Sequence, residues 1–317
     1  MDTKENLEFI MLMGIPASGK STAAAEYKKR GYAVFSSDEI RAETEEKLKS
    51  GALVMPSNTN LNAMVFDHIK ALTVKALKEG QSVVLDATNL GRKRRMNFKN
   101  ALGRIPCVKI CMLFITSPKE CSRRNELREG AAKVPEEAMY RMFCGFECPN
   151  FWEGWDKIIP VADSIPYRFE YEKTVGFPQE TPHHSLTLDE HMQAAYALAA
   201  ERGFSERVQK VAKCHDIGKL YTKRFENRRG ERTEWAHFYG HENYGAYLYL
   251  AENCCGKDLT EEEFKAILYE TNLINCHMRP LTVWKDSVSA REKDKRLFGE
   301  EFFQDLVDLN ICDKAAH

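Results

Sequence analysis

The sequence predicts two architectures in one chain: an α/β domain with a parallel sheet flanked by helices on both faces, followed by an all-α helical bundle. Three observations carry this. In the first half, short apolar runs alternate with helical patterns, as parallel sheets require. Of nine histidines, only His68 lies before residue 183, and the other eight fall in the last 135 residues. Between the halves, IPYRFEYEKTVGFPQETPHHS (Ile165–Ser185) is broken by Pro and Gly. The boundary is expected near residue 175, giving domains 1–174 and 175–317.

The strand candidates in order are EFIMLM (Glu8–Met13), AVFSS (Ala33–Ser37), SVVLDA (Ser82–Ala87), VKICMLFI (Val108–Ile115) and KIIPV (Lys157–Val161). The first runs into LMGIPASGKST (Leu12–Thr22), which spells Gly-x-x-x-x-Gly-Lys-Ser from Gly14 to Ser21. Glycines let a loop turn its backbone N–H groups inward. The helix predicted over Ser21–Lys29 adds the positive end of its dipole. Strand, loop and helix in this order form a P-loop. Gly14, Ser18, Gly19, Lys20, Ser21 and Thr22 are the expected contacts of ATP or another NTP. Lys20 is suited to the β- and γ-phosphates, and Ser21 to Mg2+.

Sites on such sheets gather at the carboxyl ends of strands, where three further stretches fall. SSDEIR places Asp38 just past the second strand and Arg41 three residues on. A carboxylate there is suited to deprotonate an attacking hydroxyl, and a guanidinium to grip phosphate; an N-cap aspartate is the plainer alternative. VVLDATNLGRKRR closes the third strand with Asp86, then offers Thr88, Asn89, and Arg92, Lys93, Arg94 and Arg95 on the next helix. A solvated basic face is the alternative for that run. In CSRRNELREG, Arg124 and Arg128 are four apart and would share a helix face. Two arginines over a nucleotide would stabilise charge on a transferred phosphoryl group.

These pieces, GIPASGKST, SSDEIR, LDATN, RRNELR, KVPEEAMYRM and EGWDKI, resemble in their order the 5′-hydroxyl polynucleotide kinases, over roughly residues 7–160. The resemblance implies Lys20 and Ser21 on ATP and Mg2+, Asp38 as general base for a 5′-hydroxyl, Arg41 on the acceptor phosphate, Arg124 and Arg128 as lid arginines, and acceptor-side or structural roles for Thr88 and Asn89; Arg92 is expected among the substrate-binding residues. Related branches phosphorylate small metabolites or charged transfer RNA.

The second half carries LDEHMQAAYALAAERG and RVQKVAKCHDIGKL as amphipathic helix patterns. His191 shares a face with Ala194, Ala195 and Leu198, and His215 with Val208, Val211 and Ala212, with Asp216 adjacent. DLVDLNICDKAAH sets Asp313 on one face with Leu306, Leu309 and Asn310. Two histidines and two carboxylates are hard to bury without a metal. The donor set, which has no obvious thiolate, suits Mn, Fe, Zn, Ni or Co. The pattern resembles the HD phosphohydrolase superfamily, with CHDIGK and DEH as its signature. That resemblance implies His191, His215, Asp216 and Asp313 as ligands of one ion. His241 and His277 would complete a second, bridged by Asp216, with Lys219 on substrate phosphate. His184 and His237 are weaker candidates for supporting contacts.

Composition bounds the rest. The chain has 317 residues, 43% hydrophobic, a formal net charge of −1 and ten cysteines without a regular framework. No global basic field advertises nucleic acid, so any polyanion site must be local. No secretory leader or membrane-length apolar run is recognised; the expectation is a cytoplasmic protein with reduced thiols and no membrane partner. Joining the two resemblances implies RNA or DNA ends as substrate, a 5′-hydroxyl phosphorylated and a 2′,3′-cyclic or 3′-phosphate removed, with a ligase acting downstream. The alternatives are a metabolite or nucleoside kinase fused to an HD nucleotidase or phosphodiesterase, and an ATP-binding switch controlling the HD domain.

Overall fold

The structure, a computed structural model, describes residues 7–182 and 185–316. His184 lies outside them. The chain divides into two compact units. The first comprises residues up to 116, 121–133 and 153–161; the second comprises 117–120, 134–152 and the chain from 162 onward. Relative to the boundary expected near residue 175, residues 117–120, 134–152 and 162–174 therefore go with the second unit.

The first unit is built on β1 (Glu8–Met13), α1 (Lys20–Lys29), β2 (Ala33–Ser36), α2 (Ser37–Lys49), α3 (Leu61–Lys78), β3 (Val83–Asp86), α4 (Arg92–Leu102) and β4 (Val108–Ile115). After α5 (Pro118–Glu126), and after α6 (Glu136–Cys144), which belongs to the second unit, comes β5 (Lys157–Ala162). The sheet order is β2-β3-β1-β4-β5, with β1 parallel to both β3 and β4 and β2 parallel to β3. All five strands expected from the sequence form. Every residue from Phe9 to Met13 is at most 1% exposed although side chains alternate faces along a strand, so both faces of the sheet are covered. On one face Ile10, Leu12, Val84, Ile110 and Phe114 pack with Ala24 of α1.

The register puts the end of β3 beside β1, so Asp86 arrives next to the loop that follows Met13. Below that loop Arg95 is fully buried. Its Nε and Nη2 donate to the Glu153 carboxylate at 2.8 and 2.6 Å, and its Nη1 donates to the carbonyls of Asn89 and Leu90. One member of the basic run is thus not a solvated charge but a strut under the site.

The second unit carries α7 (Leu188–Glu201), α8 (Glu206–Ala212), α9 (Lys219–Thr222), β6 (Arg224–Glu226), β7 (Arg232–His237), α10 (His241–Cys254), α11 (Glu261–Cys276), α12 (Arg279–Thr282), α13 (Val288–Phe298) and α14 (Glu300–Ala315). It is a helical region but not all-α, because β6 and β7 pair as an antiparallel hairpin. At the hairpin turn, Asn227 Oδ1 accepts from the N–H groups of Arg229 and Glu231, and Gly230 sits at φ 80°. α7 and α11 begin on capping boxes, Thr187 with Glu190 and Thr260 with Glu263, which fix where each helix starts. Lys210 of α8 and Tyr249 of α10 both donate to Glu270 of α11, at 2.8 and 2.5 Å. Trp152 packs on Phe298 and Phe302. No helix among the described residues is long and apolar enough to cross a membrane. All ten cysteines are free.

Candidate functional site

The P-loop leaves β1 with Gly14 donating its N–H to the Thr88 carbonyl at 3.1 Å, which ties the loop to the end of β3. Gly19 caps α1 at φ 99°, a conformation L side chains rarely adopt, and lets the helix begin directly at Lys20. Lys20 is 7% exposed; its ammonium donates to the Ile15 carbonyl at 2.8 Å and reaches Ser18 Oγ at 3.4 Å. Burial pushes its pKa down to about 8, against the pull of Asp86 and Asp38 and with help from Arg128. The Ser21 side chain lies beside the Asp86 carboxylate. Burial pushes that carboxylate upward, partly offset by Ser21 and Lys20. Asp86 therefore joins Ser21 at the position where a nucleotide-bound Mg2+ belongs, a pairing that one sequence position alone does not reveal. Thr22, on the same first turn of α1, is exposed.

The acceptor-side candidates fare differently. Ser36, not Asp38, caps α2 by accepting from the Glu39 N–H at 3.5 Å, so the capping alternative for Asp38 falls away. Asp38 stands exposed in the first turn, within electrostatic reach of Lys20 and Asp86. Arg41 donates to Asn62 Oδ1 at 2.8 Å. Arg94 lies 4.0 Å from the centroid of the Phe66 ring; burial lowers its pKa, and Arg41 nearby lowers it further. Neither arginine is ion-paired with a carboxylate among the described residues. Arg92 is half-buried at the start of α4.

Of the acceptor-side or structural roles open to Asn89, the geometry supplies a structural one: it is fully buried and its amide donates to the Leu12 carbonyl at 2.7 Å, bracing β1 and β3, with Thr88 half-buried beside it. One expectation is corrected. Arg124 and Arg128 do not share a helix face, because α5 ends at Glu126. Arg128 sits in the following turn, with its N–H on the Asn125 carbonyl and its Nη1 on that of Ala132. Arg128 is near enough to Lys20 to act on its charge.

The second unit gathers six buried ligand groups. His191, His215, Asp216 and Asp313 form one cluster, and Asp216, His241 and His277 another; within each, one ligand atom per residue lies within 4.8 Å of the others. His191 comes from α7 and Asp313 from α14. α8 stops at Ala212, so His215 and Asp216 are carried by the turn before α9 and not by a helix, contrary to the amphipathic reading. Gly218 allows that turn to press against α10: a Cβ there would meet the His241 carbonyl at 2.0 Å. His241 opens α10, and His277 caps the end of α11.

The chemistry of this donor set fits divalent metal ions. Each imidazole donates Nδ1–H to a backbone carbonyl: His191 to Ala316 (2.6 Å), His215 to Ala212 (3.0 Å), His241 to Phe238 (2.7 Å) and His277 to Ile274 (2.7 Å). That anchoring leaves the Nε2 atoms facing inward, 3.3 Å apart in the first pair and 3.2 Å in the second. Two inward nitrogens at such spacing are placed to share a metal ion, or a proton in its absence. Asp216 Oδ2 lies 3.2 and 3.4 Å from His191 and His215, while its Oδ1 lies 3.1 and 3.4 Å from His241 and His277. Asp313 Oδ1 lies 3.2 and 3.4 Å from His191 and His215. Ligand bonds of about 2.0–2.2 Å span edges of this length. The carbonyl-anchored imidazoles are the outer-shell arrangement that metal-ligating histidines favour.

Electrostatics point the same way. Burial alone would lower the His215 pKa, but Asp216 and Asp313 outweigh it and push the imidazole up to about 10. His191 and His241 are raised against burial, both foremost by Asp216, with Asp313 adding to His191 and Glu242 to His241. Asp216 and Asp313 are held well below the carboxylate range: burial opposes this, while Lys219 and His215 dominate for Asp216, and His191 and His215 for Asp313. The cluster demands positive charge. Lys219 is buried and donates to Asp216 Oδ2 at 2.6 Å and to Gln179 Oε1 at 2.7 Å.

Residues 9–149 match the family described as AAA domain. The first half of the chain is a P-loop kinase-like domain. Such a domain implies ATP and Mg2+. Among solved structures, the chain is similar to a gluconokinase from Sinorhizobium meliloti 1021 (17% identity, 49% of this chain and 81% of that chain, TM-score 0.35). It is similar also to a sugar kinase from Janibacter sp. HTCC2649 (16% identity, 49% and 84%, TM-score 0.37). No curated protein matches.

Proposed function

We propose that the chain is a two-site phosphoryl-group enzyme: an ATP-dependent kinase of a hydroxyl acceptor in the first unit and an HD-type, metal-dependent phosphoester hydrolase in the second. The observation that carries this reading is Asp216, whose two carboxylate oxygens face two separate histidine pairs. That placement is what a two-metal hydrolytic centre requires. Divalent ions held there supply Lewis acidity and lower the pKa of water. The chain's own part is to fix them. Four imidazoles are locked through Nδ1, Asp216 is shared between both positions, Asp313 completes the first, and Lys219 orients Asp216 while lining the cavity.

In the first unit Lys20 and the inward N–H groups hold the β- and γ-phosphates, Ser21 and Asp86 hold Mg2+, and Asp38 accepts the acceptor's proton. Arg124 and Arg128 stabilise the γ-phosphoryl group in flight. For the acceptor, Arg41 and Arg94 without carboxylate partners favour a molecule that brings its own phosphate. Together with the resemblance to polynucleotide kinases, this supports end healing: phosphorylation of a 5′-hydroxyl end and removal of a 2′,3′-cyclic or 3′-phosphate. The alternative of a metabolite or nucleoside kinase fused to an HD nucleotidase uses the same P-loop, Mg2+ pair and Asp38, and the AAA domain match accommodates it equally well. Transfer of labelled γ-phosphate separates them. A 5′-hydroxyl oligonucleotide labelled in preference to sugars and nucleosides supports end healing; the reverse order selects the metabolite reading.

A further inference from the structure

A cavity of about 1090 Å3 in the second unit opens onto Asp216, Asp313, Lys219 and His241. Its volume reaches the top of the range for small-molecule sites, roughly 300–1,000 Å3. The same cavity is lined by Tyr239 and His237 and by Arg228 from the hairpin turn. The His237 and Tyr239 rings are stacked, with centroids 5.2 Å apart and planes 11° off parallel, and the Arg228 guanidinium lies 5.0 Å from the Tyr239 centroid. The Nε2 of His237 is buried without a hydrogen-bond partner among the described residues, while the ring face packs against Tyr239. Lys285 and Lys314 also line the cavity and are exposed. Among the described residues, neither these two lysines nor Arg228 is ion-paired. The acidic lining residue other than the two ligand carboxylates, Glu242, approaches His241 Nδ1 at 3.5 Å.

A phosphoester whose only charge sat on the scissile group would need the metal positions and Lys219 alone. Three further cations and a flat pile of guanidinium, phenol and imidazole call for a ligand with a second anionic group and a π face. Bases stack on aromatic rings and on arginine planes alike. We infer that the hairpin and the loop after it form a nucleobase platform, Arg228–Tyr239–His237, and that Arg228, Lys285 and Lys314 take a phosphate other than the one removed. The substrate class is then a nucleotidyl phosphate. This rests on reading the metal cluster as a phosphoester-hydrolysing centre.

The test is binding to the full-length protein in chelator, read by anisotropy of a labelled short RNA that is 5′-phosphorylated, so that the kinase acceptor is blocked, and carries a 3′-phosphate. Competitors are a 3′-mononucleotide, ribose 5-phosphate and inorganic phosphate. The nucleotide ligands should compete about tenfold or more better than ribose 5-phosphate. Tyr239→Ala should weaken RNA binding about tenfold and Tyr239→Phe should restore it. Arg228→Gln, at an exposed position, should flatten the salt dependence of binding. RNA much tighter than mononucleotide assigns the site to a strand end, and equal affinity assigns it to a free nucleotide. Ribose 5-phosphate competing as well as the nucleotide, or Tyr239→Ala binding RNA like the wild type, overturns the platform. The hydrolase reading fails separately, if metal-loaded protein cleaves no phosphoester, including p-nitrophenyl phosphate, which carries no base.

Discussion

The two candidate centres hold their charges in opposite ways. In the first unit the acceptor-side groups stand apart: Asp38 is exposed, Arg41 leans on Asn62, Arg128 sits in a turn, and Lys20 is closed onto its own loop. In the second unit every ligand is buried and anchored, with inward atoms 3.1–3.4 Å apart. A phosphoryl-transfer site must let two substrates in and then gather around charge that develops late. A metal centre must instead fix its geometry beforehand, because the ion tolerates little variation in bond length. The difference teaches where each candidate site is vulnerable: the P-loop unit through single, separately held side chains, the ligand cluster through its shared carboxylate.

The largest effect should come from that shared ligand. Asp216→Ala should remove ions from both positions and end phosphoester hydrolysis, a loss well beyond the roughly 10–100-fold of an outer-shell partner. His277→Ala should deplete only the second position. Elemental analysis beside a hydrolysis assay reads both, and γ-phosphate transfer should be unchanged in each. Asp216→Ala protein that retains two ions would break the comparison, since the bridge would then be dispensable.

On the kinase side, Lys20→Ala should end transfer and leave hydrolysis intact. Asp38→Ala should lower kcat by about 10²–10⁴-fold with ATP binding spared, as expected for loss of a general base. Arg124→Ala and Arg128→Ala should each lower kcat by up to about 10²-fold, more than they raise KM for ATP. Steady-state kinetics that instead show only a higher KM for ATP would make the arginines ground-state contacts.

pH separates the two units by sign. In metal-free protein, His215 has a pKa raised from 6.5 to about 10. Its stabilising contribution is therefore complete below about 6.5 and lost as pH rises through about 10. Asp216 and Asp313 are depressed below 3.8, so their contribution is present above that value and lost in acid. Ion binding runs the other way, since protons compete for the ligands. Between pH 6.5 and 10 the Tm of chelator-treated protein should fall and the gap to metal-loaded protein should widen. A constant gap across that window would mean the cluster does not coordinate the ion. Lys20, lowered from 10.5 to about 8, carries the opposite sign: its burial opposes folding fully below about 8, and that cost fades as pH rises from about 8 to 10.5.

Much of this was legible in the sequence where a local signal was strong. The five strands announce themselves as apolar runs, and the P-loop by its spacing. His191 and Asp313 are readable because an imidazole or carboxylate on an apolar helix face has few other reasons to be there, whereas His215, Asp216, His241 and His277 are readable only through the resemblance. What was hidden depends on partners far along the chain. Arg95 looks like one more charge in a basic run until Glu153, 58 residues on, buries beside it. α8 stops at Ala212 and Gly218 then closes against His241, a long-range approach that no periodicity encodes. The β6–β7 hairpin is too short and too polar to alternate clearly, and with it the stack of Arg228, Tyr239 and His237 goes unseen.

The smallest expected effect sharpens the line between support and contact. Asn89 sits at φ 48° with its amide on the Leu12 carbonyl, while its own Oδ1 finds no partner. Asn89→Ala leaves that buried carbonyl unpaired, a loss of about 1–3 kcal/mol. The unpartnered Oδ1 disappears with it, which moves the expectation toward the low end. A left-handed backbone adds about 1–2 kcal/mol for alanine. Asn89→Gly keeps the backbone freedom and loses only the hydrogen bond, so it should be the milder of the two in thermal or denaturant unfolding. If Asn89 were a substrate contact, both variants would raise KM for the acceptor alike while stability stayed near wild type. A strut gives the reverse: stability falls in the order Ala more than Gly, and KM for the acceptor holds in the fraction that remains folded.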